Sequence, residues 1–120
     1  MFFVNHTNHP SAKWSKEQLA AAAKYGEIRD LPFPAIDPLA DKKAVAALAA
    51  DYAAQIAAMS PAAVLCQGEF TYTFALVKLL QERALTVLSA TSERIVGNVT
   101  QEDGTEQKIS LFRFVAFREY

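Results

Sequence analysis

The sequence predicts an α/β fold: a Rossmann-like three-layer domain with a parallel βαβαβαβ sheet and a C-terminal antiparallel β-hairpin. Three observations carry this. Short apolar runs alternate with stretches of helical periodicity along the first three-quarters of the chain. Each apolar run stops at a polar, Gly- or Pro-containing segment. In the last quarter, Asp103-Gly104 stands between two extended segments, a hairpin signal.

The elements follow in order. Phe2-Phe3-Val4 reads as a short buried strand that gives way to a polar loop, Asn5-His6-Thr7-Asn8-His9-Pro10. Ser15 with Gln18 three residues on matches a capping box. The helix it opens runs to about residue 25 and stops at Gly26. Residues 27–31 form a second strand, broken by Pro32-Phe33-Pro34. A long helix over 41–59 places Val45, Leu48, Tyr52, Gln55, Ile56 and Met59 at spacings of three and four. Ser60-Pro61 ends it. Ala62-Ala63-Val64-Leu65-Cys66 is apolar throughout, as in a strand covered on both faces, and it ends at Gln67-Gly68-Glu69. A helix over 70–83 turns Phe74, Val77 and Leu80 or Leu76 inward, and residues 85–90 make the fourth strand. Each helix carries the chain back across the sheet, so the strands are expected to be parallel. Residues 94–100 and 108–118 then form the hairpin. Ile109, Leu111, Phe112, Phe114, Val115 and Phe117 leave its last strand little polar face. Either both faces are covered within one chain, or one meets a second subunit.

The chain of 120 residues is the size of one domain, spanning 1–120. Twelve basic and 13 acidic residues give a net charge of -1, which excludes a protein that coats nucleic acid by bulk electrostatics. The single cysteine, Cys66, excludes an intramolecular disulfide and a multi-cysteine zinc site, and a reduced, cytoplasmic setting is expected. The apolar start is too short for a signal peptide or membrane span. No metal, cofactor or membrane is expected.

In open α/β folds, ligands bind outside the carboxyl ends of the parallel strands. The first strand end offers Asn5, His6, Thr7, Asn8, His9 and Ser11, with Trp14 close behind. The second offers Phe33, the third Gln67, Gly68, Glu69 and Thr71, and the fourth Ser89, Thr91, Ser92 and Arg94. Amides and hydroxyls give directional hydrogen bonds without net charge, and Phe33 or Trp14 can stack on a base. The set suits a nucleotide-like ligand better than a metal. His6 is the candidate general acid or base. Glu69 is either a helix cap or a general base, and Arg94 either neutralises phosphate or is solvated. Gly68 permits close backbone approach. Each also has a plainer reading, as turn, cap or packing residue.

The segments Val4-Asn5-His6-Thr7-Asn8-His9-Pro10-Ser11, Leu65-Cys66-Gln67-Gly68-Glu69-Phe70-Thr71 and Ser89-Ala90-Thr91-Ser92-Glu93-Arg94, set in this topology, resemble the CRISPR-associated Rossmann-fold (CARF) family. The resemblance covers the whole chain at the level of topology and points to the small stand-alone members that accompany type III CRISPR systems. It implies a homodimer that binds a cyclic oligoadenylate, cyclic tetra-adenylate foremost, and cleaves it as a metal-independent ring nuclease. It implies roles for His6, Glu69 and Arg94 in cleavage and for the remaining strand-end residues in binding. No appended effector domain is read, which favours removal or sequestration of the signal. The alternatives are a binder that does not cleave and a deoxyribosyltransferase-like enzyme with Glu69 as nucleophile.

Overall fold

In a computed structural model that describes residues 1–120, the apolar N-terminal run becomes β1 (Phe2–His6), at the heart of a five-stranded sheet. Side chains alternate across a strand. Phe3 therefore faces one side, with Ala22, Ala63, Leu65 and Leu88. Val4 faces the other, with Val64, Ile56, Tyr72, Leu76 and Leu80. The helices α1 (Lys16–Ala23), α2 (Lys42–Ala58) and α3 (Phe70–Glu82) divide accordingly, α1 on the Phe3 side and the other two on the Val4 side.

The strands β2 (Glu27–Asp30), β3 (Pro61–Cys66), β4 (Val87–Thr100) and β5 (Glu106–Glu119) complete the sheet in the order β2-β1-β3-β4-β5. The first three pairings are parallel and β4–β5 is antiparallel. The mixed α/β class and the mostly parallel sheet agree with the sequence.

The cap at Ser15 agrees with the sequence, and the structure adds one at Asp41. Ser15 accepts the Gln18 N–H at 3.2 Å, and Asp41 accepts the Ala44 N–H at 2.8 Å. Gly26 sits at φ 154°, and a Cβ there would stand 2.2 Å from the Met1 carbonyl oxygen. Only glycine lets the chain turn so closely under β1 to start β2.

Two expectations are corrected. Phe74 does not face inward; it is 68% exposed, and the buried stripe is Tyr72, Leu76 and Leu80 at intervals of four, joined by Thr73 and Val77. Phe74 lies half a turn from that stripe. The fourth strand does not stop near residue 90 to let a separate hairpin begin. β4 is one strand of 14 residues, with β5 alongside almost throughout. Only Val87 and Leu88 pair with β3. Past them, β4 and β5 leave the body as a two-stranded ribbon. The segment after Ala90 has no Pro or Gly before Gly97 and is rich in β-branched residues, so nothing breaks the strand. A bulge at Thr91/Ser92 absorbs the change of direction instead. The ribbon stretches the molecule to 55 × 38 × 21 Å and its radius of gyration to 17.1 Å, against about 14 Å for a compact chain of this length.

Candidate functional site

A cleft of about 670 Å³ opens between the loop after β1, the start of α1, the end of β3 and the base of the ribbon. Its position follows from the strand order. β1 and β3 are neighbours, and their following helices lie on opposite faces, so the carboxyl ends of the two strands leave a crevice.

One wall is the loop after β1. Asn5, almost fully buried, donates to the His9 carbonyl and to Asp30 Oδ1, both at 2.9 Å, and its Oδ1 accepts the Thr7 hydroxyl at 2.8 Å. Thr7 in turn accepts the His9 N–H at 3.1 Å, and Trp14 Nε1 donates to the His9 carbonyl at 3.1 Å. These bonds hold the loop so that Asn8 and His9 stand exposed at the cleft. Ser11 is tied through its N–H and hydroxyl to Asp30 Oδ2, at 3.2 and 3.1 Å. Asn5 and Ser11, expected as ligand contacts, are thus scaffold. Asp30, which ties both, is a structural residue that the sequence reading passed over.

The floor comes from β3 and β4. Gln67 lines the cleft, and its Oε1 accepts the Ala90 N–H at 2.7 Å, capping a donor that β4 frees as it leaves β3. Gly68 is a place of close approach, as expected, but what approaches is Phe33: a Cβ would lie 2.3 Å from its Cζ. Phe33 packs there against His6 and Tyr72, with centroids 5.3 and 5.0 Å away, and is not a stacking surface of the cleft.

The remaining walls are Lys13, Trp14, Ser15 and Gln18 around the start of α1, and Ser92, Phe112 and Phe114 from the ribbon. The fold therefore brings together Thr7, Asn8, His9, Trp14, Gln67, Gly68 and Ser92 from the expected set. It adds Lys13, the only Lys or Arg in the lining, and two phenylalanines. No carboxylate lines the cleft. Lys13 sits beside Trp14 and was within reach of sequence reasoning. Phe112 and Phe114 needed the length and register of β4.

The other expected residues lie elsewhere. His6 is fully buried on the Val4 side of the sheet, because β1 runs two residues further than its apolar run suggests. Its Nδ1–H donates to the Leu31 carbonyl at 2.7 Å, which leaves Nε2 to accept the Tyr72 hydroxyl at 2.8 Å. Burial pushes the imidazole pKa below its ordinary value, against the opposing pull of the Leu31 carbonyl. His6 is a neutral organiser of the core, and the general acid–base role has no open face here. The same burial raises the Tyr72 hydroxyl well above the ordinary tyrosine range and the Cys66 thiol to about 12, so Cys66 is an inert packing residue.

Glu69 caps α3. Its carboxylate accepts the N–H groups of Tyr72 and Thr71, at 2.8 and 3.0 Å, and the Thr71 hydroxyl at 2.8 Å. The Tyr72 N–H foremost, then Thr71, holds its pKa below the usual range. Thr71 is spent in this cap, and neither residue lines the cleft. Thr91 donates to the Ala116 carbonyl at 3.0 Å, and Ser89 opens on a separate hollow beside α3 and Tyr120. Arg94 lies out on the ribbon, bonded through Nε to the Ser110 hydroxyl at 2.9 Å. It pairs with Phe112, one rung beyond Ser92 and Phe114, and does not line the cleft. Thr91 and Ser92 are strand residues, not the break between two strands that the sequence suggested.

No three His, Cys, Asp or Glu side chains gather where they could hold a metal ion. No helix is long and apolar enough to cross a membrane.

Comparison with curated proteins and with solved structures finds no match. The family described as "Uncharacterized protein MJ1673 family" matches residues 1–118. That span takes in every strand and helix from β1 to β5, and the chain belongs to the Uncharacterized protein MJ1673 family.

Proposed function

We propose that the chain binds a cyclic oligoadenylate, cyclic tetra-adenylate first among them, in the cleft at the ends of β1 and β3. The supporting observation is the lining: amides, hydroxyls, three aromatic rings and a single cation, with no carboxylate to repel phosphate. Trp14, Phe112 and Phe114 offer surfaces for bases, while Lys13 and the polar groups around it suit phosphate and ribose oxygens. The arrangement fits a Rossmann-like, CARF-type domain. The cleft has the volume of a pocket for a drug-sized ligand, ~300–1,000 Å³. A cyclic tetranucleotide is larger, so in this reading a second copy supplies the rest of the site.

Degradation belongs to the same proposal. In a ring nuclease the 2′-oxygen attacks the adjacent phosphorus in line. The bond to the 5′-oxygen breaks, the 2′-proton passes to a base, and the 5′-oxygen gains one. A cyclic phosphate and a 5′-hydroxyl result, and alignment of the attacking oxygen supplies much of the acceleration. His9 is the imidazole that lines the cleft. Because His6, Glu69 and Arg94 stand outside it, the second reading, a binder that sequesters the ligand uncleaved, gains support. The deoxyribosyltransferase-like reading loses it, because the Glu69 carboxylate is spent on the α3 cap.

Trp14 is the only tryptophan, and it lines the cleft. Titrating the protein with cyclic tetra-adenylate in EDTA should change its fluorescence, and Lys13→Ala should weaken binding about tenfold, as for one charge-assisted contact. Linear product on chromatography selects the ring nuclease, and intact ligand selects the binder. No fluorescence change and no retention of the ligand in equilibrium dialysis would remove the whole reading.

A further inference from the structure

The ribbon has two faces, and the register separates them. Residues opposite each other across an antiparallel pair point to the same side. One face begins in the cleft, where Ser92 and Phe114 line it, and continues outward through Arg94 with Phe112, Val96 with Ser110, and Asn98 with Lys108. The other carries Glu93 with Arg113, then Ile95 with Leu111, Gly97 with Ile109, and Val99 with Gln107.

Both faces hold cations, in different states. On the back face Arg113 is paired with Glu93. On the cleft-side face neither Arg94 nor Lys108 has a carboxylate partner, since the other ion pair of the chain joins Arg29 to Glu27. Arg94 donates through Nε to the Ser110 hydroxyl at 2.9 Å, one same-face rung further out, so its guanidinium lies along this face. Lys108 stands two same-face rungs beyond Arg94, about 14 Å along the strands. No acidic residue interrupts the stripe until Glu106, opposite Thr100, ends it. Beside the free cations Phe112 is 74% exposed, with Phe114 two residues on along the same face and Trp14 and Lys13 across the cleft. Unpaired cations and open aromatic rings thus alternate from the cleft outward. That combination holds a single nucleic-acid strand, with cations on phosphates and rings on bases. The chain's net charge of -1 supplies no general attraction, so the placement of these cations has to supply it.

We propose that the cleft-side face of the ribbon, through Arg94, Phe112 and Lys108, binds a short single-stranded oligonucleotide that runs outward from the cleft. This goes beyond the cyclic-ligand reading, because it needs neither a ring nor a second copy. The ligand is a linear strand: Arg94 and Lys108 hold phosphates, Phe112 stacks on a base, and the cleft receives the end of the strand. The back face, whose cation is already neutralised, takes no part.

Fluorescein-labelled hexamers of riboadenylate and deoxyadenylate, followed by fluorescence anisotropy over a salt series, test this. Either hexamer binding in the pattern below supports the proposal and names the source of the strand. Arg94→Ala and Lys108→Ala should each weaken binding and make the log–log salt slope shallower by about 0.7, the value for one single-strand phosphate contact. Phe112→Ala should weaken binding about tenfold and leave the slope alone, as for one stacked base. Arg113→Ala removes the same charge from the opposite face and should leave both unchanged. All four side chains are exposed, so the variants should keep the circular dichroism of the wild type. Binding of neither hexamer overturns the proposal, and so does a loss in Arg113→Ala equal to that in Arg94→Ala. If Phe112→Ala binds as tightly as wild type and inorganic tripolyphosphate displaces the strand, the face is a surface for any polyanion and the proposal falls. The Trp14 titration judges the cyclic ligand separately: a ring that binds where neither hexamer does overturns this proposal alone, and a hexamer that binds in this pattern where the ring does not leaves it standing alone.

Discussion

Asn5 and His6 are adjacent in sequence and belong to different sides of the sheet. Asn5 shapes the loop beside the cleft, and His6 is locked between Leu31 and Tyr72 in the opposite core. The strand's period of two makes that separation, and one residue of register would exchange their roles. A prediction follows for acid stability. The folded imidazole has a lowered pKa, so above the ordinary histidine value of 6.5 it is neutral in both folded and unfolded chains. Below that value the unfolded chain takes up a proton that the fold resists. Stability is therefore complete above pH 6.5 and declines as the pH falls, by at most about 1.4 kcal/mol per pH unit. Melts between pH 8 and 5 should show the decline in wild type and equally in His9→Ala; a flat profile would contradict the buried neutral ring. At Gly68 the expectation is steric. Gly68→Ala drives a methyl into the Phe33 ring and should cost about 1–3 kcal/mol in denaturant unfolding, the range for overpacking. A silent substitution would mean that Phe33 is free to move aside.

At the scale of elements, the Ser15 cap was readable because it is local: Ser15 lies three residues from the N–H group it binds. Glu69 was ambiguous, since a carboxylate at a strand end also suits catalysis, and only its two backbone partners decide. Its lowered pKa means that the cap is complete above the ordinary carboxylate value of 4.5 and weakens as the pH falls through the depressed one. Glu69→Gln should lower the melting temperature at pH 7 and reduce the loss in acid, while ligand binding at Trp14 stays unchanged. Failure to bind would return Glu69 to the site. The end of β4 was not readable. Sequence patterns identify extended residues well, but whether two extended runs join depends on the partner strand, and β5 lies beyond the turn.

For the whole molecule, the gathering of polar residues at the carboxyl ends of the strands was legible, because each apolar run stops at a polar segment; the crevice between β1 and β3 was not, because it depends on which strands pair. The residues that close it from the ribbon were not, since Phe112 and Phe114 reach it only when β5 runs the full length of β4. Likewise Phe33 and His6, placed at strand ends by sequence, are claimed by the core through packing that spans distant segments.

The same topology sets an order of events as the chain folds. β1 must find Glu27 on one side and Pro61 on the other, both far along the chain. β4 and β5 need only close the short turn around Gly104. Loop-closure entropy is small for the second and large for the first. The ribbon is thus the part that forms most easily and, standing clear of the body, the part that frays first: early to assemble and last to be made secure.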